Sequence, residues 1–419
     1  MNIILLSGGS GKRLWPLSNE SMSKQFLRLL RDDKGNKESM VQRVFRQIKE
    51  TNLKTNIVIG TNNSQVDVIK EELGEDIDIV VEPSRRNTYP AILLSCSYLK
   101  FKKNIKDDDS IIVLPVDPYT ENSYFETLKK MDEVIKTSNS DITLMGIKPT
   151  YPSEKYGYMV CGNDNKVIKF KEKPTLDEAK ELLKEGAYWN AGVFGFKMSF
   201  IEKYLNENNI NSYEDALNKF NELKINSFDY EVVEKTNSIN MVKYDGMWKD
   251  LGTWNTLTEE MPSNHGSVIT GEDNNNVSVV NVTDKPVVAL GLKDVVIVTS
   301  REGVLVSNKE KSSYLKKYVD DLNDTPLFEK KSFGEYQVLE KTNNSLTKHI
   351  YMLKDKFYGG ECINNNEVFV IVNGECEMVI NNGSSIFYKK GDTITINSNE
   401  TYKIMAKTNT ELISVTNFK

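Results

Sequence analysis

A chain of 419 residues exceeds one ordinary core, since a domain takes roughly 100–200 residues, and its 39% apolar and 27% charged residues suffice for packed cores and solubility. The net charge of −6, with lysines spread along the chain, argues against nucleic acid or an anionic membrane as the main partner. No basic leader precedes the strand-like start and no apolar run nears the ~18 residues of a span, so a cytoplasmic location is expected; the scattered Cys96, Cys161, Cys362 and Cys376 read as reduced structural thiols.

From residue 2 to about 147, apolar runs at 3–6, 57–60, 77–81, 111–114 and 142–145 alternate with helical patterns at 39–50, 64–73, 87–102 and 122–137. Unbroken β-branched runs between helices predict strands buried on both faces. The fold class is therefore α/β, a Rossmann-like, doubly wound, mostly parallel sheet that binds ligands beyond the carboxyl ends of its strands. Strand signals at 156–161 and 166–171, a helix, and a strand at 188–196 read as an insertion over one edge of the cleft. The run 264–276, rich in Gly, Ser and Asn, sets a boundary near 262, giving a catalytic domain at 1–262. Short β runs at 277–282, 287–290, 295–298 and 304–306, then a helix at 312–322, predict a β-rich arm or partial β-solenoid at 263–330. Strand and turn signals fill 331–419, a small β-barrel or sandwich.

The first predicted strand ends in Ser7-Gly8-Gly9-Ser10-Gly11-Lys12-Arg13-Leu14-Trp15-Pro16-Leu17, and Ser23-Lys24-Gln25-Phe26-Leu27 follows. The glycines let backbone N–H groups approach a polyphosphate without Cβ obstruction, and Arg13 and Lys24 supply charge-assisted contacts to its oxygens. The run fits neither the dinucleotide GxGxxG pattern nor the P-loop. Asp117, in Leu114-Pro115-Val116-Asp117-Pro118, sits where a central strand would deliver a carboxylate to a phosphate-bridging metal.

The run from Gly8 to Leu17 with Lys24-Gln25-Phe26-Leu27 resembles the signature GGxGTRLWPLSR…PKQF of mannose-1-phosphate guanylyltransferases, members of the sugar nucleotidyltransferase family. Lys12 stands for the signature's threonine and Ser23 for its proline. The run 82–91, Glu-Pro-Ser-Arg-Arg-Asn-Thr-Tyr-Pro-Ala, is similar to the family's ExxxRNTAPA, with Tyr89 in place of a small residue. The resemblance implies a nucleotide site of Gly8, Gly9, Ser10, Gly11, Lys12, Arg13, Glu82, Arg86, Asn87 and Thr88. Trp248-Lys249-Asp250-Leu251-Gly252-Thr253-Trp254 resembles WxDxGxW, whose aspartate would complete a Mg2+ site with Asp117. Where the family has PSDH this chain has Pro115-Val116-Asp117-Pro118. The run 169–174 resembles FxEKP and implies that Glu172 reaches sugar hydroxyls while Lys173 holds the sugar phosphate. Likenesses to GYGYI, WNSGxF and SxDYxxxEK add Gly157, Tyr158, Asn190, Gly192 and Asp229 to the sugar side, where Asp117 also lies. Arg13, Lys24 and Lys173 are the implied catalytic cations, and a homodimer is implied with them.

The expected reaction joins a sugar 1-phosphate to a nucleoside triphosphate, GTP first, and releases pyrophosphate. A phosphomonoester is largely dianionic at pH 7, so it needs no general base, and neither His265 nor His349 lies in a motif. Another sugar 1-phosphate, another triphosphate such as CTP, or a non-catalytic sugar-nucleotide sensor remain alternatives. The tail resembles a mannose-6-phosphate isomerase-like cupin at Phe333-Gly334-Glu335-Tyr336 and 367–374. No histidine follows His349, so a histidine-ligated metal site cannot be built there, and Glu367 reads as structural.

Overall fold

The computed structural model describes residues 1–9, 11–19, 22–162, 164–320, 322 and 326–418. The apolar runs of the first half become one nine-stranded sheet. Its strands, in chain order, are β1 (Asn2–Leu6), β2 (Asn56–Asn62), β3 (Asp78–Glu82), β4 (Ser110–Pro115), β5 (Ile142–Ile147), β6 (Tyr158–Cys161), β7 (Val167–Lys171), β8 (Tyr188–Lys197) and β9 (Ile239–Tyr244). β3, β2, β1 and β4 lie side by side and parallel, as do β5 and β9. The connecting helices are α1 (Met40–Glu50), α2 (Val66–Leu73), α3 (Thr88–Phe101) and α4 (Asn122–Thr137). α1 starts at a capping box in which the Ser39 hydroxyl accepts from the Gln42 N–H and the Gln42 amide oxygen accepts from the Ser39 N–H. α3 is apolar nearly all round, as a fully enclosed helix must be; Ile92, Leu93, Leu94, Cys96 and Leu99 join Ile4, Val58, Val80, Ile111 and Val113 in the main core. Burial pushes the Cys96 thiol pKa up, which suits an inert structural cysteine.

The 188–196 run differs from the expectation of an edge insertion. β8 lies inside the sheet, antiparallel to β4, β5 and β6. The sheet is therefore mixed, parallel on one flank and antiparallel at its middle. An enclosed antiparallel strand carries the same unbroken apolar run as a parallel one, so its direction is invisible to the pattern. The β8 ladder against β5 breaks its register between Asn190 and Phe194, and Gly192, at φ 69°, takes up the left-handed backbone of that bulge.

By internal contacts the chain forms two compact units, Met1–Arg13 with Ser23–Pro262, and Leu14–Met22 with Ser263–Lys419. In the second unit, Val268–Thr270 pairs in parallel with Val287–Ala289, and Ser278–Asn281 with Val295–Thr299. Coils of parallel strands around Val279, Ala289 and Ile297 make a short β-solenoid, closed by the antiparallel strand Val304–Asn308. The helix expected at 312–322 is a 3-10 turn, Lys311–Tyr314, then one α-turn, Lys316–Val319.

The last part builds a six-stranded and a four-stranded antiparallel sheet. Side chains of both, Ile350, Phe369, Ile371, Ile394 and Leu412 from one and Cys376, Met378, Ile404 and Ala406 from the other, share one core, as in a closed double-sheet barrel. Glu367 is buried there, accepting from the Tyr402 hydroxyl at 2.9 Å.

Candidate active site

The carboxyl ends of the parallel strands carry the polar residues. β1 runs into Ser7, Gly8 and Gly9; Asn62 and Glu82 end β2 and β3; Asp117 follows β4. The returning chain is locked to the first turn by side-chain amides. Gln25 Nε2 donates to the Ser7 carbonyl at 3.0 Å, Gln65 Nε2 to the Ser23 hydroxyl at 2.6 Å, and the Ser23 hydroxyl reaches the Gly9 carbonyl at 3.4 Å. Lys24 is thereby held at the start of the 3-10 turn Lys24–Phe26.

Two cavities open on this edge. The first, about 270 Å³, is lined by Gly8, Gly9, Asn62, Glu82, Arg85, Arg86, Asn87, Thr88 and the apolar Leu6 and Ala91. Burial lifts the Glu82 carboxyl to about 7, against the opposing pull of Arg85. Asn87, at φ 72°, turns the chain into α3 and caps it through the Thr88 N–H. Arg86 commits its guanidinium to the Leu223 carbonyl at 2.6 and 3.2 Å. The Thr88 hydroxyl accepts from the Phe228 N–H at 2.9 Å, tying the start of α3 to the short helix Phe228–Glu231.

The second cavity, about 260 Å³, collects Arg13, Lys24, Asp117, Gly157, Glu172, Asn190, Gly192, Asp229 and Asp250. Asp250 reaches Asp117 because Trp248–Asp250 pairs antiparallel with Pro118–Thr120, setting Asp250 opposite Pro118. The Lys24 ammonium lies 2.6 Å from Asp117 Oδ2 and 3.6 Å from Asp250 Oδ1. Burial pulls the Lys24 pKa down, but Asp117 and Asp250 outweigh it and leave the pKa raised, so Lys24 is a fixed cation. Two carboxylates converging on one point suit Mg2+, which takes one or two carboxylates plus phosphate oxygens and water. Among the described residues no group of three or more His, Cys, Asp or Glu gathers, so a cage built wholly of protein ligands is not available there.

At the far side, Asn190 is a bracket. Its Nδ2 donates to Asp229 Oδ1 at 2.7 Å, its Oδ1 accepts from the Gly192 N–H at 3.0 Å, and its own N–H donates to the Gly157 carbonyl at 2.8 Å. A Cβ on Gly157 would lie 2.5 Å from Glu172 Oε2, so only glycine leaves room for that carboxylate. Glu172 Oε2 is buried with no hydrogen-bond partner among the described residues. Burial, and next the Glu172 charge, push the Asp229 carboxyl up to about 7. Lys173 stands at the rim, half exposed, at φ 45°, with its ammonium 2.9 Å from Glu172 Oε1.

Other expected residues lie elsewhere. Tyr158 is fully buried, and its hydroxyl donates to the Ser153 carbonyl and accepts from the Ser153 N–H, which anchors a turn rather than a sugar. Gly11 and Lys12 belong to neither lining; Lys12 opens the 3-10 turn Lys12–Leu14 that carries Arg13. Ser10 lies outside the described residues. Tyr89 is a core residue, its hydroxyl accepting from Asn208 and its ring edge-on to Tyr204. Tyr156 and Trp248, edge-to-face at 5.4 Å, line the second cavity and were not singled out from the sequence, although each sits inside a quoted motif.

Residues 2–265 match the nucleotidyl transferase family. A mannose-1-phosphate guanylyltransferase of Klebsiella pneumoniae is 30% identical over 371 residues, 79% of this chain and 76% of that protein. The alginate biosynthesis protein AlgA of Pseudomonas fluorescens is 27% identical over 89% of this chain and 84% of its own. A crystal structure described as a mannose-1-phosphate geranyltransferase, from Thermus thermophilus, superposes with a TM-score of 0.63 at 25% identity, over 77% of this chain and 99% of that one. A glycine turn beside paired cations, two converging aspartates and an acid-lined pocket on one sheet edge thus recur in a chain that matches over the whole of that region: the protein belongs to the nucleotidyl transferase family and is a nucleotidyltransferase enzyme.

Proposed function

We propose that the protein makes GDP-mannose from GTP and mannose 1-phosphate, releasing pyrophosphate. The observation that carries this reading is the second cavity, where Lys24, Asp117 and Asp250 meet at one end and Glu172, Asn190 and Asp229 at the other. A phosphate-and-cation end and a hydroxyl-binding end within one cavity fit a sugar 1-phosphate.

Arg13 and Lys24 would carry the triphosphate oxygens, and Lys173 at the rim the sugar phosphate. Asp117 and Asp250 would hold Mg2+, which supplies charge neutralisation and a template for the phosphate oxygens. Each preorganised cation contributes a few kcal/mol to a transition state that gathers negative charge. The remaining task is alignment. Asn190 holds Asp229 in place, so the sugar meets fixed acceptors. Guanine supports the choice of base, because its adjacent N1–H and N2–H donors match the two oxygens of one carboxylate, and Glu82 brings a carboxylate to the first cavity. A homodimer and a cytoplasmic location complete the proposal; a light-scattering mass of two chains supports the dimer and a mass of one overturns it.

The test is pyrophosphate release with Mg2+, crossing GTP, CTP, UTP and ATP against mannose 1-phosphate and other sugar 1-phosphates. Selective turnover of GTP with mannose 1-phosphate supports the reading. Another active pair moves the substrate while keeping the reaction, and silence across the matrix favours a sugar-nucleotide sensor. E82Q is expected to lower kcat/KM for GTP by about tenfold to a hundredfold, the range for one lost charged contact, and to narrow the gap to the other triphosphates.

A further inference from the structure

The phosphate-binding run divides between the two units. Its ends, at 7–9 and 23–25, are fixed by the Gln25 and Gln65 amides, whereas Leu14–Met22 is part of the C-terminal unit. That middle segment is a defined structure. The Leu14 N–H donates to the Ser18 hydroxyl, the Leu17 and Ser18 N–H groups donate to the Leu14 carbonyl, and Leu14 is completely buried.

A single turn of the arm, at 300–303, engages it. The Ser300 hydroxyl donates to the Pro16 carbonyl at 2.8 Å and accepts from the Glu302 N–H at 3.0 Å, which sets the direction of its proton. The Ser300 N–H closes the turn on the Gly303 carbonyl at 2.9 Å. Gly303 lies flat against Trp15, and a Cβ there would stand 2.5 Å from Cζ2 and 2.7 Å from Cη2 of the indole. Glu302 Oε1 accepts from the Leu327 and Phe328 N–H groups at 2.7 and 3.3 Å, at the entry to the barrel's first strand, Phe328–Lys331. One turn therefore grips the signature segment with Ser300 and Gly303 and the start of the barrel with Glu302.

We propose that the turn at 300–303 is a positioning element for the segment that directly follows Arg13, and through the chain itself for Arg13. Arg13 immediately precedes the gripped segment and shares the 3-10 turn Lys12–Leu14 with its first residue, so the grip limits where its backbone can go. Glycines at 8, 9 and 11 widen the backbone choices open to the run, so restraints at its ends matter. A shift of about 1 Å in a positioned cation costs on the order of a hundredfold in rate. A barrel without metal-binding histidines thus has work that needs no chemistry of its own. The catalytic part of this inference rests on the proposed nucleotidyl transfer.

The test is a double-mutant cycle of G303A and W15F in the full chain, read by hydrogen exchange of peptides spanning 8–27 and by pyrophosphate release. G303A is expected to raise exchange in those peptides and to lower kcat by about tenfold, while KM for the triphosphate moves less than about threefold and the unfolding temperature holds. In the W15F background, which removes the clashing ring atoms, adding G303A should cost at least about threefold less in kcat than it does in the wild type, the positive φ of Gly303 accounting for what remains. Unchanged exchange and kcat in G303A, or an undiminished loss in the W15F background, overturns the proposal. Should G303A not fold, S300A replaces it, with faster exchange and a smaller drop in kcat expected; wild-type values there overturn the proposal equally. If the wild type releases no pyrophosphate, the transfer reading falls, and the exchange arm still decides whether the turn holds the loop.

Discussion

Asp250 shares the Lys24 ammonium with Asp117. D250N is expected to lower kcat by at least about a hundredfold while the fold survives, since removing a cation ligand loses several kcal/mol of charge stabilisation. Far-UV circular dichroism beside the pyrophosphate assay checks both halves. The Asp229 carboxyl, raised from 3.8 to about 7 by burial and by Glu172, keeps a proton in the folded chain that the unfolded chain has already released. Stability therefore falls as pH rises from about 4 to 7 and levels off above that window. D229N lacks this slope, so its unfolding temperature relative to wild type should climb between pH 5 and pH 8; a constant difference would refute the assignment. Residues carried by contiguous runs, Gly8 and Gly9 in the first cavity and Arg13 and Lys24 in the second, were legible in the sequence because each run is short enough to be read whole. Tyr158 was not, since a motif cannot tell a tyrosine facing the ligand from one facing the core; Tyr158 opens a strand enclosed on both faces, while Tyr156, just before that strand, lines the cavity.

Between elements, the site depends on a few cross-links rather than on a shared surface. The hydrogen bond from the Phe228 N–H to the Thr88 hydroxyl joins the helix that frames the first cavity to the helix that presents Asp229. T88V leaves that N–H without its partner and is expected to cost about 1–3 kcal/mol in urea unfolding and to raise KM for the sugar 1-phosphate more than for the triphosphate. Equal changes in both KM values would place the effect elsewhere. Helices with a polar outer face were readable almost to the residue: the pattern at 122–137 is the helix Asn122–Thr137. Strand order and direction were not, because β8 has the composition of any enclosed strand and only its partners reveal that it runs antiparallel. The bulge that brings Asn190 and Gly192 to the second cavity was hidden for the same reason, though the glycine that permits it was visible.

For the molecule as a whole, the barrel's chemistry is set by what fills it. Glu367, Tyr402, Tyr358 and Phe369 occupy its interior, and burial with Tyr358 and Glu367 nearby pushes the Tyr402 phenol pKa up, so the hydroxyl stays a donor. The protein is expected to leave mannose 6-phosphate unchanged even with added Zn2+, Co2+ or Mn2+, measured by coupled formation of fructose 6-phosphate. Y402F, which takes the phenol donor from Glu367 and leaves it the weaker Cys362 thiol at 3.9 Å, should lower stability by about 1–3 kcal/mol in urea unfolding.

The allocation of Leu14–Met22 to the C-terminal unit has a consequence for the order of synthesis. These residues are synthesised well before Ser263, where the unit they fold into resumes. At about 5–20 residues per second, the signature segment waits on the order of ten seconds to a minute for the polypeptide that receives it. A ribosome-bound chain stopped after residue 262 would contain every proposed catalytic side chain, while Leu14–Met22 would still lack the rest of its unit.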